Sequence, residues 1–310
     1  MKVLLATDGS AAATEAVKFV RSLADYNSVD AVVVTVSYDP EHYSKSYFGQ
    51  PWLADWTEQE NDRTQAILDQ AKQTLDETCQ SVKTIHGTGA TLPFLLNQAK
   101  VDKVDLIVMG AKGHSAIGRI LLGSISDSIA SRAECSVVII RPSDNGTVRP
   151  ERVVLGYDRS IASREAVAEL MEWNLRRDTK VDVVSVVQNP YVYAGDGYIA
   201  EPITVRPEQI AEVNESAQRM ASQVAEHFPH TEAHSPTADH VGDAIVKVAE
   251  KNKADMIVVG DAGHSLLGEL LLGSTSKYVL RHAPCSVWIS RHHYKLDPSN
   301  KEVDDVAAAS

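Results

Sequence analysis

The chain has 310 residues, of which 44% are apolar and 23% charged, a composition that is typical of a soluble globular protein and excludes a largely disordered chain. Its length favours two domains of about 150 residues over a single core. The net charge of −12 argues against a general nucleic-acid binder or a binder of anionic membranes, because both need a basic surface. The N-terminal apolar run is too short for a signal peptide, and no run reaches the roughly 20 residues of a membrane span, so we expect a cytoplasmic protein.

In chain order, the first half alternates between buried strands and helices. Strand-like apolar runs occupy 3–8, 31–37, 81–85, 104–110 and 136–141, and helical spacing follows in the segments 9–25, 64–80, 89–100 and 124–133. Most of these strands are apolar on both faces. Strands of this kind, alternating with helices, predict a parallel sheet that is covered on both sides.

The second half repeats this order at an offset of 150 residues. Between 105–141 and 255–291, 19 of 37 positions are identical without a gap, which indicates a duplication. We therefore predict one domain at 1–142 and a second at 151–292. The composition of 143–150 is that of a linker, and 293–310 is expected to be a polar tail.

The strongest repeat is "GAKGHSAIGRILLGS" (110–124), which returns as "GDAGHSLLGELLLGS" (260–274). In a parallel sheet, ligands bind beyond the carboxyl ends of the strands, where the strand order reverses. Glycines there allow positive φ and a close approach of phosphate to backbone amides, and the helix that follows favours an anion. The alternative is a strand-to-helix corner in which Gly110 and Gly113 form a tight turn and Ser124 caps the helix. Two other phosphate-binding motifs do not fit. The segment 118–125 has the glycine spacing of a P-loop but lacks its lysine, and the segment 87–92 lacks the third glycine of a dinucleotide-binding motif.

The spacing Gly-x2-Gly-x9-Gly-(Ser/Thr) resembles the nucleotide signature of the ATP-binding universal stress proteins. Both halves carry it, as Gly110, Gly113 and Gly123-Ser124 and as Gly260, Gly263 and Gly273-Ser274. The resemblance covers roughly 1–141 and 151–291 and is closest to the two-domain members. The resemblance implies an α/β fold with two tandem domains, each built on a five-stranded parallel sheet with the strand order 3-2-1-4-5. Such domains are Rossmann-like and are similar to the adenine nucleotide alpha-hydrolase-like fold. The two halves would pair through their last strands as a pseudo-dimer within one chain, and the whole chain could also form a homodimer.

The same resemblance implies a stress-response signalling module that binds ATP or another adenine nucleotide, with or without Mg²⁺, and acts on a protein partner. Asp8 and the backbone near Val36 would meet the adenosine end, and the glycine loop and the following helix would hold ribose and phosphates. The expected nucleotide-binding residues are Thr7, Asp8, Val36, Met109, Gly110, Lys112, Gly113, His114, Gly123, Ser124, Ile125 and Ser126 in the first half, and Asp158, Val186, Gly260, Gly263, Gly273, Ser274, Thr275 and Ser276 in the second.

The two copies of the motif differ in charge. Ala111, Lys112 and Arg119 of the first copy become Asp261, Ala262 and Glu269, so the second copy is four charge units more negative at these positions. A like charge at 4 Å costs about 4 kcal/mol at an effective dielectric constant near 20. We therefore expect the first half to bind the nucleotide more tightly. In the alternative, Asp261 helps to hold Mg²⁺.

The sequence shows no nucleophile-base pair and no fixed metal geometry, so we assign no catalytic residue and no metal ligand. A slow ATPase or phosphotransferase with Ser124 or Ser126 as phosphate acceptor remains an alternative function, and so does a chaperone or interaction module that binds no nucleotide. We expect His114 and His264 to contact phosphate, to respond to pH or to serve the loop structurally. We expect the aromatic-rich segments 38–56 and 188–203 to form either lids over the nucleotide or an interface.

Overall fold

The computed structural model describes residues 1–38, 51–112, 122–142, 149–189, 191–194, 199–202, 205–261 and 272–291. The first half contains β1 (Lys2–Ala6), α1 (Ala11–Ala24), β2 (Asp30–Ser37), α2 (Pro51–Leu75), β3 (Ser81–Thr88), α3 (Thr91–Asp102), β4 (Leu106–Gly110), α4 (Ser124–Arg132) and β5 (Ser136–Ile140). The second half contains β6 (Arg152–Gly156), α5 (Ile161–Glu172), β7 (Lys180–Val184), β8 (Val187–Gln188), β9 (Tyr191–Ala194), β10 (Ile199–Pro202), α6 (Pro207–Ala225), β11 (Thr231–His234), β12 (Thr237–Ala238), α7 (Val241–Asn252), β13 (Met256–Gly260), α8 (Ser274–His282) and β14 (Ser286–Ser290). None of the helices within these ranges has the length and apolar character needed to cross a bilayer.

Ten of the strands form one sheet with the order β11-β7-β6-β13-β14-β5-β4-β1-β2-β3. Within each half the neighbouring strands are parallel. At the centre β5 and β14 are antiparallel, with Val138 opposite Trp288. The predicted Rossmann-like order 3-2-1-4-5 and the pairing of the two halves through their last strands are therefore confirmed.

Helices cover both faces of this sheet, which explains why its strands are apolar on both faces. One hydrophobic cluster packs α1, α2, α5 and α6 against residues such as Leu5 and Val108. The other packs α3, α4, α7 and α8 against residues such as Leu4 and Ile107. Each cluster contains residues of both halves, so the two halves bury their apolar surface together.

Two elements differ from the sequence-based expectation. Helix α2 begins at Pro51, well before the predicted start at residue 64, because proline suits the first turn of a helix. Residues 57–63 of this helix are mostly exposed, so they carry no apolar periodicity that could have indicated it. In the segment 188–203, β9 and β10 form an antiparallel hairpin. The aromatic residues Tyr43, Tyr47, Phe48 and Tyr198 lie outside the described residues.

The two halves exchange arginines across the central pair of strands. Arg141 follows β5, and its Nη2 donates to the carbonyl oxygen of Leu280 in α8 at 2.7 Å. Arg291 follows β14, and its Nη2 donates to the carbonyl oxygen of Ala130 in α4 at 2.6 Å. Both side chains are buried. Each guanidinium thus holds the C-terminal turn of a helix in the opposite half, where a positive charge is favourable.

A buried carboxyl group breaks the symmetry of this interface. Glu169 of α5 is 3% exposed, and its Oε2 accepts hydrogen bonds from Ser136 Oγ at 2.9 Å and from Ser290 Oγ at 2.5 Å. The position that corresponds to Glu169 in the first half is Phe19. Burial raises the pKa of the Glu169 carboxyl to about 7, although the two serine hydroxyls act in the opposite direction.

We predict that Glu169 makes the stability of the protein depend on pH. Because its pKa is higher in the folded than in the unfolded chain, its contribution is complete below about pH 4.5 and is lost as the pH rises to about 7. The shift corresponds to about 3 kcal/mol in the free energy of unfolding. Chemical denaturation of Glu169→Gln from pH 4.5 to 8 should therefore show a flatter profile than wild type.

The control is Glu172→Gln, which removes an exposed carboxyl from the same helix. Because this carboxylate contributes to the raised pKa of Glu169, the profile should change slightly, and far less than in Glu169→Gln. A wild-type profile and a Glu169→Gln profile that run parallel across this range would contradict the prediction.

Candidate functional site

In the first half the strand order reverses between β1 and β4, so the carboxyl ends of these two strands border the candidate site. Residues 7–10 connect β1 to α1 on one side of it, and residues 110–112 leave β4 on the other. The two loops are joined where Ser10 Oγ donates to the carbonyl oxygen of Lys112 at 3.4 Å. The structure thus brings the end of the first strand and the start of the glycine motif to one place.

The loop after β1 is shaped by Asp8 and Ser10. Asp8 Oδ1 accepts a hydrogen bond from the amide of Ser10 at 3.0 Å, and Ser10 Oγ accepts one from the amide of Ala13 at 3.3 Å. Ser10 is therefore the N-cap of α1. Asp158 and Ser160 repeat this arrangement at the start of α5. We did not predict the two serines, although a serine before an apolar helix is a known capping signal.

Gly110 and Gly260 are required by helix packing. A Cβ atom on Gly110 would lie 2.8 Å from the carbonyl carbon of Ala12, and one on Gly260 would lie 2.7 Å from the carbonyl oxygen of Ala162. The backbone of a helix thus lies directly against each strand end. The expectation that the glycines of this motif supply positive φ is wrong for both residues. It is also wrong for Gly123 and Gly273, whose φ values are −68° and −60°.

The helices that follow the motif begin without a side-chain cap. Gly123 is the N-cap of α4 and Gly273 that of α8, and neither helix has a side-chain hydrogen bond at its cap. Ser124 is the first residue of α4 and not its cap, contrary to the alternative considered from the sequence. The first amides of such a helix have no intrahelical partner and can bind an anion. Ile125 and Thr275, second in their helices, are partly buried.

The hydroxyls of Ser126 and Ser276 are already used within the protein. Ser126 Oγ donates to the carbonyl oxygen of Gly110 at 2.9 Å, and Ser276 Oγ donates to that of Gly260 at 2.6 Å. Ser126 is 3% exposed. Its hydroxyl therefore ties the helix to the strand end and is poorly placed to accept a phosphoryl group. Ser124, in contrast, is exposed.

The remaining predicted residues of the first half lie around the same sheet edge. Thr7 and Met109 are buried at the ends of β1 and β4, and Val36 is partly buried near the end of β2. Lys112 is partly exposed next to Ser10. Gly113 and His114 lie outside the described residues, as do Arg119, Gly263, His264 and Glu269.

In the second half the corresponding crevice is a cavity of about 430 Å³. Seven predicted residues line it, namely Asp158, Val186, Gly260, Gly273, Ser274, Thr275 and Ser276. The structure also adds polar residues that the sequence analysis missed, which are Tyr157, Arg159, Ser160, Ser163, Ser185, Gln188 and Ser216. Of these, Ser216 and its neighbours come from α6, so only the packing of this helix onto the sheet could reveal them.

The charge of Asp261 is balanced inside the protein. Its Oδ2 lies 3.4 Å from Nε of the buried Arg291. Burial lowers the pKa of the Arg291 guanidinium, and Asp261 acts against this shift. Arg141, the counterpart of Arg291 in the first half, has alanine at position 111 in place of this acidic partner, so the charge difference between the two halves remains.

One group of described residues offers metal-ligating atoms away from the crevices. Asp182, Glu232 and His234 lie with one such atom each within 4.8 Å of one another. Asp182 is buried, its Oδ2 lies 3.1 Å from Nε of Arg152, and its Oδ1 lies 2.8 Å from Nε2 of His234. Because a guanidinium already contacts the buried carboxylate, we interpret the group as an ion-pair network.

Comparisons with known proteins give a consistent result. The sequence profile of the Universal stress protein family matches residues 1–141 and 150–291. A universal stress protein of Mycolicibacterium smegmatis is 27% identical over 297 residues, which span 93% of this chain and 96% of the relative. One of Mycobacterium tuberculosis is 29% identical over 193 residues, 61% of this chain and 63% of the relative. The crystal structure of a universal stress protein from Archaeoglobus fulgidus has a TM-score of 0.64 at 17% identity and covers 94% of this chain and 98% of its own, which supports the fold.

We predict that Gly110→Ala destabilises the protein even without any ligand. The added methyl group would meet the backbone of α1, so the free energy of unfolding should fall by about 1–3 kcal/mol in denaturant titrations. Gly260→Ala should behave in the same way. Gly89→Ala is the control, because a Cβ there has nothing within 4 Å and reports only the cost of φ at +99°. If Gly110→Ala unfolds at the wild-type denaturant concentration, helix packing is not what requires this glycine.

Proposed function

This chain belongs to the universal stress protein family, and from that premise we propose that it binds ATP or another adenine nucleotide in the crevice of each half. We propose further that nucleotide binding changes how the protein acts on a partner, as expected of a cytoplasmic stress-response module. The proposal rests on one observation. In each half a helix that begins without a side-chain cap, α4 or α8, has its N-terminus near the loop that follows the first strand, β1 or β6.

The second-half cavity supports this proposal by its size and lining. Its volume of about 430 Å³ falls in the range of small-molecule sites. Hydroxyl groups and the start of α8 lie on its polar side, while Val186 and Ile245 contribute apolar surface. A nucleotide needs such a combination, because its base is largely apolar and its phosphates are charged.

We assign the parts of the nucleotide by the chemistry of the residues. Asp8 and Asp158, with the backbone at Val36 and Val186, would bind the adenosine end. The free amides at the starts of α4 and α8 would bind phosphate. Gly113, Gly263 and His114 belong to this proposal by sequence alone. We do not assign Mg²⁺ to Asp261, because Arg291 already pairs with its carboxylate.

We propose that the first site binds the nucleotide more tightly than the second. Lys112 lies next to the loop after β1, and its backbone carbonyl accepts from Ser10. The second half has alanine at the matching position 262. Arg141 of the first half matches Arg291 but has alanine at position 111 in place of Asp261, so the charge difference between the two halves favours the first site.

Lys112→Ala should weaken the tighter of two ATP-binding steps by about tenfold, the effect of losing one charge-assisted hydrogen bond. Isothermal titration calorimetry of the full chain with ATP measures both steps. Binding of adenosine should be unchanged, because it has no phosphate to contact the lysine.

The control is Lys72→Ala, which removes one positive charge from the exposed face of α2 in the same half. Equal effects of Lys112→Ala and Lys72→Ala would contradict a specific role for Lys112. If the wild-type chain binds neither ATP nor adenosine, and no adenine nucleotide co-purifies with it by mass spectrometry, the proposed function is wrong.

A further inference from the structure

The loop between β6 and α5 carries an arginine in a conformation that favours glycine. Arg159 has φ at +69°, and the residue at the matching position of the first half is Gly9, with φ at +77°. The left-handed region is unfavourable for a residue with a Cβ atom. Lys103 and Lys253, two other described residues with positive φ, are helix C-caps, where this conformation is common. Strain of this kind concentrates at functional sites.

The first half uses the same position for apolar packing. A Cβ atom on Gly9 would lie 2.9 Å from Cδ1 and Cγ1 of Ile67, so α2 closes directly onto the loop there. In the second half Arg159 lines the cavity together with Val213 and Ser216 of α6. In the first half α2 thus packs against the loop that follows β1. In the second half the corresponding helix, α6, borders an open cavity next to the loop that follows β6.

The guanidinium of Arg159 is held by a partner that a ligand can replace. Its Nη1 lies 2.5 Å from Oε1 of Glu212 on α6, and the two side chains are 45% and 60% exposed. This contact lowers the pKa of the Glu212 carboxyl. Ion pairs with this exposure contribute little to stability because water screens them. An anion in the cavity can therefore compete with Glu212 for the guanidinium.

Among the described residues that line this cavity, Arg159 carries the one cationic side chain, and Asp158 beside it is acidic. The glycine motif of the second half has alanine at position 262 in place of Lys112. Arg291, which contacts the motif at Asp261, is held by that carboxylate and by the carbonyl oxygen of Ala130. A phosphate-bearing ligand would therefore rely on Arg159 for its counter-charge.

We infer that Arg159 is the phosphate-binding cation of the second site, and that it exchanges Glu212 for an anionic group of the bound nucleotide. This inference rests on the proposed function and names a residue that determines specificity in one of its two sites. The first site takes its positive charge from the glycine motif at Lys112. The second site takes its positive charge from the loop after the first strand of that half. The cation that binds the phosphates therefore comes from a different loop in each site.

The test is a calorimetric titration of the full chain with ATP and, separately, with adenosine. Arg159→Gln should weaken by about tenfold the ATP-binding step that Lys112→Ala leaves unchanged, and should leave adenosine binding unaltered. Glu212→Gln should strengthen the same step, because it frees the guanidinium. Arg219→Gln is the control, since Arg219 forms a more exposed ion pair with Glu215 on the same helix.

Arg159→Gly separates binding from folding. Glycine relieves the left-handed φ, so this variant should unfold at or above the wild-type temperature while it loses ATP affinity to the same extent as Arg159→Gln. Unchanged ATP affinity in Arg159→Gln at both steps, or an equal loss for ATP and adenosine, would overturn the inference. A single ATP-binding step that is sensitive to Lys112→Ala alone would also overturn it while the proposed function stands. Absence of all nucleotide binding in wild type would instead refute the proposed function.

Discussion

The antiparallel pairing of β5 with β14 is the contact on which the rest of the molecule depends. Without it, each half would end in an unpaired strand that is apolar on both faces, an arrangement that invites aggregation. With it, the two hydrophobic clusters extend across both halves, and Trp288 stacks on Trp173 with ring centroids 3.5 Å apart. The pairing also delivers Arg141 and Arg291 to the helices of the opposite half. These arginines contact the C-terminal turns of α8 and α4, and the N-termini of the same two helices border the candidate sites.

The glycine motif serves folding and leaves room for binding at the same time. Gly110 and Gly260 allow a helix backbone to lie against the strand end, and the hydroxyls of Ser126 and Ser276 fix the next helix to that same strand end. These contacts leave the first amides of α4 and α8 without a side-chain cap. The strand-to-helix corner and the binding site are therefore not alternatives. The corner positions a helix N-terminus that has no side-chain cap among the described residues, and the binding proposal depends on that N-terminus.

The sequence was sufficient to predict the strand order and seven of the residues around the second cavity, because both follow from the duplicated motif and its resemblance to one family. It did not predict the start of α2, whose exposed first turns carry no periodic signal. It also failed to indicate Glu169 or the pairing of Asp261 with Arg291. In the sequence, Glu169 resembles any other polar residue of an amphipathic helix. Only the fold shows that it is buried and accepts hydrogen bonds from Ser136 and Ser290. Interactions between distant positions of the chain have no local pattern, so only the folded structure reveals them.

Joining the two halves in one chain changes what mutation can do to their interface. In a dimer of identical subunits every substitution appears twice, related by the symmetry axis, so a buried acid would be introduced on both sides at once. Here Glu169 stands where the other half keeps Phe19, and Ser290 where it keeps Ile140. Covalent fusion therefore allows each side of a formerly symmetric contact to evolve separately. One half can accept polar or strained residues while the other preserves the shared fold.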